Sequence, residues 1–441
     1  MSGIALIGAG SMVFTRQVVG DLLQRPATQS SDLRLFDIDG GRLATAERLV
    51  RRLIKEAGSA ARVTACPSQD DAIRGADYVI NTIQVGGLEA TVKDFEIPAR
   101  VGIKQTIADT LGIGGIFRAL RTIPPVLAIV RDIERFAPDA RLLNYTNPMS
   151  MLMMAVARQG YKNAYGLCHS VQYTAESLAL YLGEDEEQLD WVAAGINHMA
   201  WFLQLEKDGQ DLYPALFRNS QRGSPIWDTD AVRFELMHRL GYFVSESSEH
   251  NAEYSPFFMP HDQEIARLNI PVNDYLRRSR AYLEEYAELG TWIDHEERSL
   301  LMPLSPEYAP QIISALESRS TWGFYANVPN EGLIANLPPW ACVEVPCFVN
   351  RRRIEAARIG PLPDPLAAMN RQAITVQSLA VEAALTGNLD LVYQAAMMDP
   401  LLASVLSLDE IWHLVDALCV AHEGYLPAMK SRRLHSMMGA S

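Results

Sequence analysis

Two short stretches of the chain carry side chains able to hold a transition metal. Cys168-His169-Ser170 follows one short apolar run, and Asn197-His198 lies within another, with His198 30 residues after Cys168. A thiolate and an imidazole can share one ion and leave positions open for substrate oxygens. The same pair is equally compatible with a buried free thiol and a hydrogen-bonded core imidazole, the commoner fate of both types. A third polar stretch, Glu249-His250-Asn251-Ala252-Glu253-Tyr254, is either a solvated loop or part of a site. A tyrosine there serves as a base only where a cation lowers its hydroxyl from about 10.

A second kind of chemistry is written at the N-terminus. Gly8-Ala9-Gly10-Ser11 follows an apolar run and precedes a helical pattern, so the backbone can turn tightly and approach a pyrophosphate. The third glycine of the usual fingerprint is missing, since Val13 and Phe14 occupy its place. Asp37 stands 27 residues after Gly10, at the end of the next expected strand, where a carboxylate accepts both ribose hydroxyls and repels a 2′-phosphate. NAD is therefore expected over NADP, against the alternative of a plain glycine turn with Asp37 as a helix cap. Asn81, Thr82 and Gln84 follow another strand pattern and can line a nicotinamide. Asn144-Tyr145-Thr146-Asn147-Pro148 brings two amides to the same edge, or is a capped turn. Trp201, Trp322 and Trp340 are either platforms for a sugar ring or core and oligomer contacts.

The elements around these residues predict an α/β protein. Strands are expected at Gly3–Ile7, Leu33–Asp37, Tyr78–Thr82 and Arg141–Tyr145, with helices between them, including Thr15–Gln24 and Arg42–Ala57. That alternation describes a Rossmann-type NAD-binding domain over residues 1–165. Residues 166–441 are expected to form an α+β substrate- and metal-binding domain on a lactate/malate dehydrogenase-like plan, with strands at Ala164–Leu167 and Val192–Leu205 and a helix at Thr174–Leu182. The tail from Ala367 to Ala428 is helical by pattern, and Ser407-Leu-Asp-Glu has the form of a capping box.

Composition narrows the partners. The 441 residues carry a formal charge of -14, which disfavours nucleic acid and anionic lipid, because both demand clustered cations. Five scattered cysteines, an odd number, predict a reducing cytoplasm. The chain opens on structure-forming residues, with no basic leader, and the apolar stretch Met149–Ala157 is shorter than the roughly 18 residues a bilayer requires. No membrane span is expected.

Eight sequence words in order resemble glycoside hydrolase family 4 and, within it, the melibiase (α-galactosidase) branch. They are IGAGS at Ile7–Ser11, QTIADTLG at Gln105–Gly112, GGIFRALRTIP at Gly114–Pro124, LNYTNPMS at Leu143–Ser150, GLCHSVQ at Gly166–Gln172, GINHMAW at Gly195–Trp201, SSEHNAEY at Ser247–Tyr254 and NVPNEGLIANLP at Asn327–Pro338. The resemblance implies that Cys168 and His198 ligate a divalent ion, usually Mn²⁺, whose free positions take the 2- and 3-hydroxyls of a glycoside. It implies that Asn147, with Asp109 and Arg118, binds the sugar, and that Tyr254 is the base. Where phospho-glucosidase members carry Asp after the cysteine, this chain has His169, the first candidate for the leaving-group acid. The implied route is oxidation at C3 by NAD⁺, deprotonation at C2, elimination of the aglycone, addition of water and re-reduction by the retained NADH. A homodimer or homotetramer is implied as well.

Rival readings make different demands. A lactate- or malate-type dehydrogenase needs a His/Asp pair and an arginine clamp for a carboxylate, and a non-catalytic NAD sensor needs no glycoside at all. Within the family, glucosides, galacturonides and glucuronides are alternatives to galactosides. A 6-phosphosugar would need cations such as Arg118 and Arg121.

Overall fold

The order of the strands decides where a ligand can sit. In the computed structural model, which describes residues 1–295 and 297–434, the strands are β1 Gly3–Ile7, β2 Asp32–Phe36, β3 Arg62–Ala65, β4 Tyr78–Asn81, β5 Arg141–Asn144, β6 Ala164–Gly166, β7 Asp190–Ile196, β8 Met199–Lys207, β9 Gln210–Asp211, β10 Thr321–Pro329, β11 Cys342–Asn350 and β12 Arg353–Ala356. All belong to one sheet, in the order β3-β2-β1-β4-β5-β6-β10-β11-β7-β8-β9, with β12 beside β11. The first six are parallel, and the order reverses direction between β1 and β4. This is the Rossmann arrangement, whose ligand crevice lies outside the carboxyl ends of the strands at that reversal.

These segments pair in parallel because helices cover both faces of the sheet. β1 and β4 are buried at every residue, as suits the aliphatic run Ile4–Ile7 of β1 and the apolar Tyr78–Ile80 of β4. The helix Met12–Gln24 lays Val18, Val19, Leu22 and Leu23 on the sheet. The helix Gly40–Glu56 begins where the Asp39 carboxylate accepts from the amides of Gly41 and Arg42. The capping box read at Ser407 and Glu410 opens the helix Leu408–Ala421.

Several expectations are corrected. Val192–Leu205 is two strands, because β7 and β8 pair antiparallel with Ile196 opposite Met199, which leaves Asn197-His198 as a two-residue turn. His198 is therefore at a hairpin tip with a φ of 63°, not within a strand. Apart from these corrections, residues 165 and 166 both lie in β6, and the sheet runs on from there where Gly166 pairs with Asn327 of β10. The longest apolar helix is Gly112–Phe136 and not Met149–Arg158. It passes the length and hydropathy test for a membrane span, but 83% of that apolar window is buried inside the protein, which marks a core helix. The tryptophans do not line the cleft described below: Trp201 is fully buried, Trp322 stacks on Phe324, and Trp340 lies over Arg158.

Candidate active site

The carboxyl ends of β1, β4, β5 and β6 open into a cavity of about 630 Å³. Ser11, Thr82 and Gln84 line its nucleotide side, while Asn147, Cys168 and His198 line the opposite side. The glycine turn is tight for a stated reason. Gly8 has a φ of 87°, and a Cβ there would come within 2.9 Å of the Thr82 and Ile83 backbone. The Gly10 amide donates to Asp37 Oδ2 at 2.8 Å, so the glycine turn and the carboxylate at the end of β2 are held together. A side chain at Gly10 would collide with that carboxylate at 2.6 Å.

Asn81 is a correction. It is fully buried, and its amide donates to Asn144 Oδ1 at 2.7 Å and Thr146 Oγ1 at 3.3 Å, one layer behind the cavity wall. Asn144 is turned inward too, toward the Thr146 carbonyl. Asn147 does reach the cavity, and its amide donates to Asp109 Oδ2 at 3.1 Å. Asp109 also accepts from Thr110 at 2.8 Å and faces His250 Nε2 at 3.7 Å and Arg118 at 3.9 Å. Burial opposes ionisation of Asp109, but His250 and Arg118 outweigh it and hold its carboxyl well below the usual carboxylate range.

Cys168, just beyond β6, and His198, at the hairpin tip, meet across the cavity as the sequence words imply. Glu246 joins them, and the three ligand atoms lie within 4.8 Å of one another. Burial first, and then the charge of Glu246, push the Cys168 thiol up to about 11. Burial likewise works against the Glu246 carboxylate, but His250, His198 and Arg233 prevail and lower it.

His169 is held between the rings of Tyr145 and Tyr173, with centroids at 5.9 and 5.5 Å, and its Nε2 meets Glu307 Oε2 at 2.7 Å. Burial would lower this imidazole, yet the Glu307 hydrogen bond and charge raise it above its ordinary value. It stands on the cavity wall.

Tyr254 stands behind His198. Its side chain is not part of the cavity wall, and its hydroxyl lies 3.0 Å from His198 Nδ1, so it supports that imidazole from behind. Burial, then the charges of Asp109, Glu253 and Glu246, raise the phenol well above its ordinary value.

Glu246 and Glu307 escaped the sequence reading, and His250 was read only as one member of the polar stretch Glu249–Tyr254. A signal existed for Glu246: it recurs with His250 and Tyr254 at every fourth residue, the spacing of one helix face, although Glu246 itself precedes the helix. His250 lies in the helix Ser248–Glu253, with its Nδ1 3.2 Å from Glu246.

A Rossmann sheet whose carboxyl edge faces a thiol–imidazole–carboxylate cluster defines a nucleotide-binding enzyme of metal-assisted chemistry. The chain belongs to the family 4 glycosyl hydrolases: the family model matches residues 3–184, and the model of its C-terminal domain matches 193–402. The chain is 43% identical to an α-galactosidase of Bacillus subtilis (strain 168), over 98% of this chain and all of that protein. Among solved structures, a putative glucosidase of Bacillus subtilis, lplD, is 27% identical with a TM-score of 0.85, covering 95% of this chain and 99% of that one. A 6-phospho-alpha-glucosidase from gut microorganisms, solved in complex with NAD and Mn²⁺, shares the fold at 21% identity and a TM-score of 0.81, covering 98% of this chain and all of that one.

Proposed function

We propose that the protein is an NAD-dependent α-galactosidase that requires a divalent metal, Mn²⁺ being the first candidate, and that acts on neutral glycosides. The observation that carries this reading is the cavity itself, lined at one end by Ser11 of the glycine turn, which Asp37 holds through Gly10, and at the other by Cys168 and His198. The residues present fit both groups. The Gly8 and Gly10 positions leave no room for a Cβ, as a cradle for a pyrophosphate requires, and Asp37 at the end of β2 suits a ribose diol. One sulfur and one imidazole nitrogen beside a carboxylate are a donor set for a divalent transition ion.

When bound, NAD supplies reversible oxidation at C3 and the ion supplies the Lewis acidity that makes C2 acidic. The chain's own residues do the rest. Asn147 and Asp109 bind hydroxyls of the ring, and Arg118 has N–H groups left to join them. His169, whose affinity for a proton Glu307 raises, gives that proton to the leaving oxygen. Tyr254 positions His198. An acceptor of the C2 proton on the cavity wall itself would be His250, which lines it.

Charge balance supports a neutral substrate. Among the described residues, each arginine lining the cavity already faces carboxylates: Arg118 faces Asp109, Arg233 faces Asp230, and Arg278 faces Asp274 and Glu249. Arg121 is buried against Asp94 at 2.5 Å, away from the cavity. A phosphate or a uronate would have to displace one of these pairs, at a cost of several kcal/mol for a buried one. The same pairing leaves no clamp for a 2-hydroxy acid, which weighs against the dehydrogenase reading. The unpaired state of all five cysteines supports a cytoplasmic location. We take residues 1–165 as the NAD-binding part and 166–441 as the substrate- and metal-binding part, in a homodimer or homotetramer that sedimentation would reveal.

Aryl α-galactosides should be cleaved only with NAD⁺, Mn²⁺ and a reductant present. In D₂O the released sugar should carry deuterium at C2, because a paired-carboxylate glycosidase never breaks that carbon–hydrogen bond. Cleavage that needs NAD⁺ but leaves C2 unlabelled would count against the elimination route.

A further inference from the structure

We infer that Glu246 is a third protein ligand of the divalent ion, completing a Cys168–His198–Glu246 set. The inference rests on the metal-dependent reading above and deepens it, since the sequence words imply only the cysteine and the histidine. Bonds of about 2.1 Å from an ion to nitrogen and oxygen place neighbouring donors about 3.0 to 3.4 Å apart. His198 Nε2 and Glu246 Oε2 are 3.5 Å apart, and Cys168 Sγ completes a triangle with no edge longer than 4.8 Å. The ring nitrogen facing Glu246 is the one that Tyr254 leaves free, since Tyr254 takes Nδ1. All three side chains border the same cavity, so a face of the ion would stay open to sugar oxygens.

The backbone gives a second, independent observation. Glu246 has a φ of 73°, a left-handed conformation that costs a residue with a Cβ on the order of 1 kcal/mol or more and persists where the surroundings over-determine it. Its amide is fixed by donation to Thr174 Oγ1 at 3.2 Å, which sends the carboxylate toward Cys168 and His198. A rival cluster, Asp109 with His198 and His250, also has its ligand atoms within 4.8 Å of one another. It lacks the sulfur, and Asp109 is already engaged by Thr110, Asn147 and Arg118.

Charge adds a consequence. A thiolate and a carboxylate together neutralise a dication, so this protein would retain its metal before any sugar arrives. With cysteine and histidine alone, one positive charge stays uncompensated in a buried site.

The test is Mn²⁺ titration of the metal-free protein, followed by the electron paramagnetic resonance of free Mn²⁺, for wild type and Glu246→Gln. The variant should bind Mn²⁺ at least tenfold more weakly while NAD affinity, read by calorimetry, is unchanged; equal Mn²⁺ affinity in the two proteins would overturn the inference. Crystals of the wild-type protein soaked in Mn²⁺ give a readout that no folding defect can confuse. A Glu246 oxygen within about 2.5 Å of the anomalous Mn²⁺ peak supports the ligand, and one beyond about 3.5 Å removes it. If Cys168→Ser and His198→Ala lose Mn²⁺ while Glu246→Gln keeps it, only this inference fails. A wild-type protein that binds no Mn²⁺ would instead undo the metal-dependent reading itself.

Discussion

Replacing Tyr254 by Phe separates two roles that the sequence could not. The hydroxyl sits 3.0 Å from His198 Nδ1, and both side chains are buried, with Tyr254 5% exposed. If Nδ1 carries the hydrogen and donates it to the phenol oxygen, Nε2 is left bare and turned toward Glu246 and Cys168. Phe keeps the ring and deletes the acceptor, leaving a buried imidazole N–H unpaired at about 1–3 kcal/mol. Part of that cost falls on the orientation of His198, and outer partners of metal-bound histidines are typically worth 10–100-fold in metal affinity. The expected result is Mn²⁺ affinity lowered by about 10–100-fold, with kcat at saturating Mn²⁺ within about tenfold of wild type and deuterium exchange at C2 retained. A tyrosine acting as the base predicts the reverse pattern, a loss of about 10²–10⁴ in kcat that no excess of metal restores. Mn²⁺ titration, kcat at saturating metal and C2 exchange in D₂O decide between them. Unchanged Mn²⁺ affinity together with abolished exchange would refute the positioning role and return the proton transfer to Tyr254.

Two further outcomes follow from the same geometry. Asp37→Ala should weaken NAD by about 1–3 kcal/mol, the range for unpairing a hydrogen bond to a charged group, and should loosen the glycine turn that Asp37 Oδ2 ties at Gly10; calorimetry that finds NAD binding unchanged would contradict the assignment. Glu307→Gln should move the alkaline limb of the pH–kcat/KM profile toward lower pH. Glu307 raises the His169 imidazole against the opposing effect of burial, and an acid raised in this way is active below its pKa and lost as pH rises through it. A limb that does not move would exclude His169 as the acid.

The parts of the molecule legible in the sequence are those fixed by local rules. Gly8, Gly10 and Asp37 lie within one βαβ unit, where strand and helix periodicity alone bring them together, and Ser407 with Glu410 is a cap read from four residues. The hairpin at Asn197-His198 was hidden because its two strands form one apolar run, and the turn lacks the glycine that usually marks a left-handed position. Asn81 and Asn147 look alike as amides at strand ends. Only the packing of Thr146 and Asn144 against Asn81 turns one of them inward. Glu307 could not have been assigned to His169 from the chain, since 138 residues and a change of strand direction separate them.

The continuity of the sheet explains how chemistry at two ends of the cavity can be kept in register. The ligands of the ion come from different segments: Cys168 follows β6 in the parallel half, while His198 joins β7 to β8 in the antiparallel half. What links the halves is the ladder β6-β10-β11-β7, through the pairs Gly166–Asn327 and Glu344–Gly195. Both pairs place a glycine at the junction, and both glycines are crowded. A Cβ on Gly166 would meet the Met149 sulfur at 2.5 Å, and one on Gly195 would meet the Met199 carbonyl oxygen at 2.3 Å. At Gly166 the crowding includes Asn327 Cβ at 2.9 Å, across the junction itself, whereas at Gly195 it comes from β8, the other arm of the hairpin that carries His198. The distance between the cysteine and the histidine is thus set by backbone hydrogen bonds across four strands and not by a hinge between two bodies. Such a frame suits a reaction in which the cofactor must accept and return hydride at one carbon while the neighbouring carbon loses its proton, because an error of about 1 Å in that geometry can cost on the order of 10² in rate.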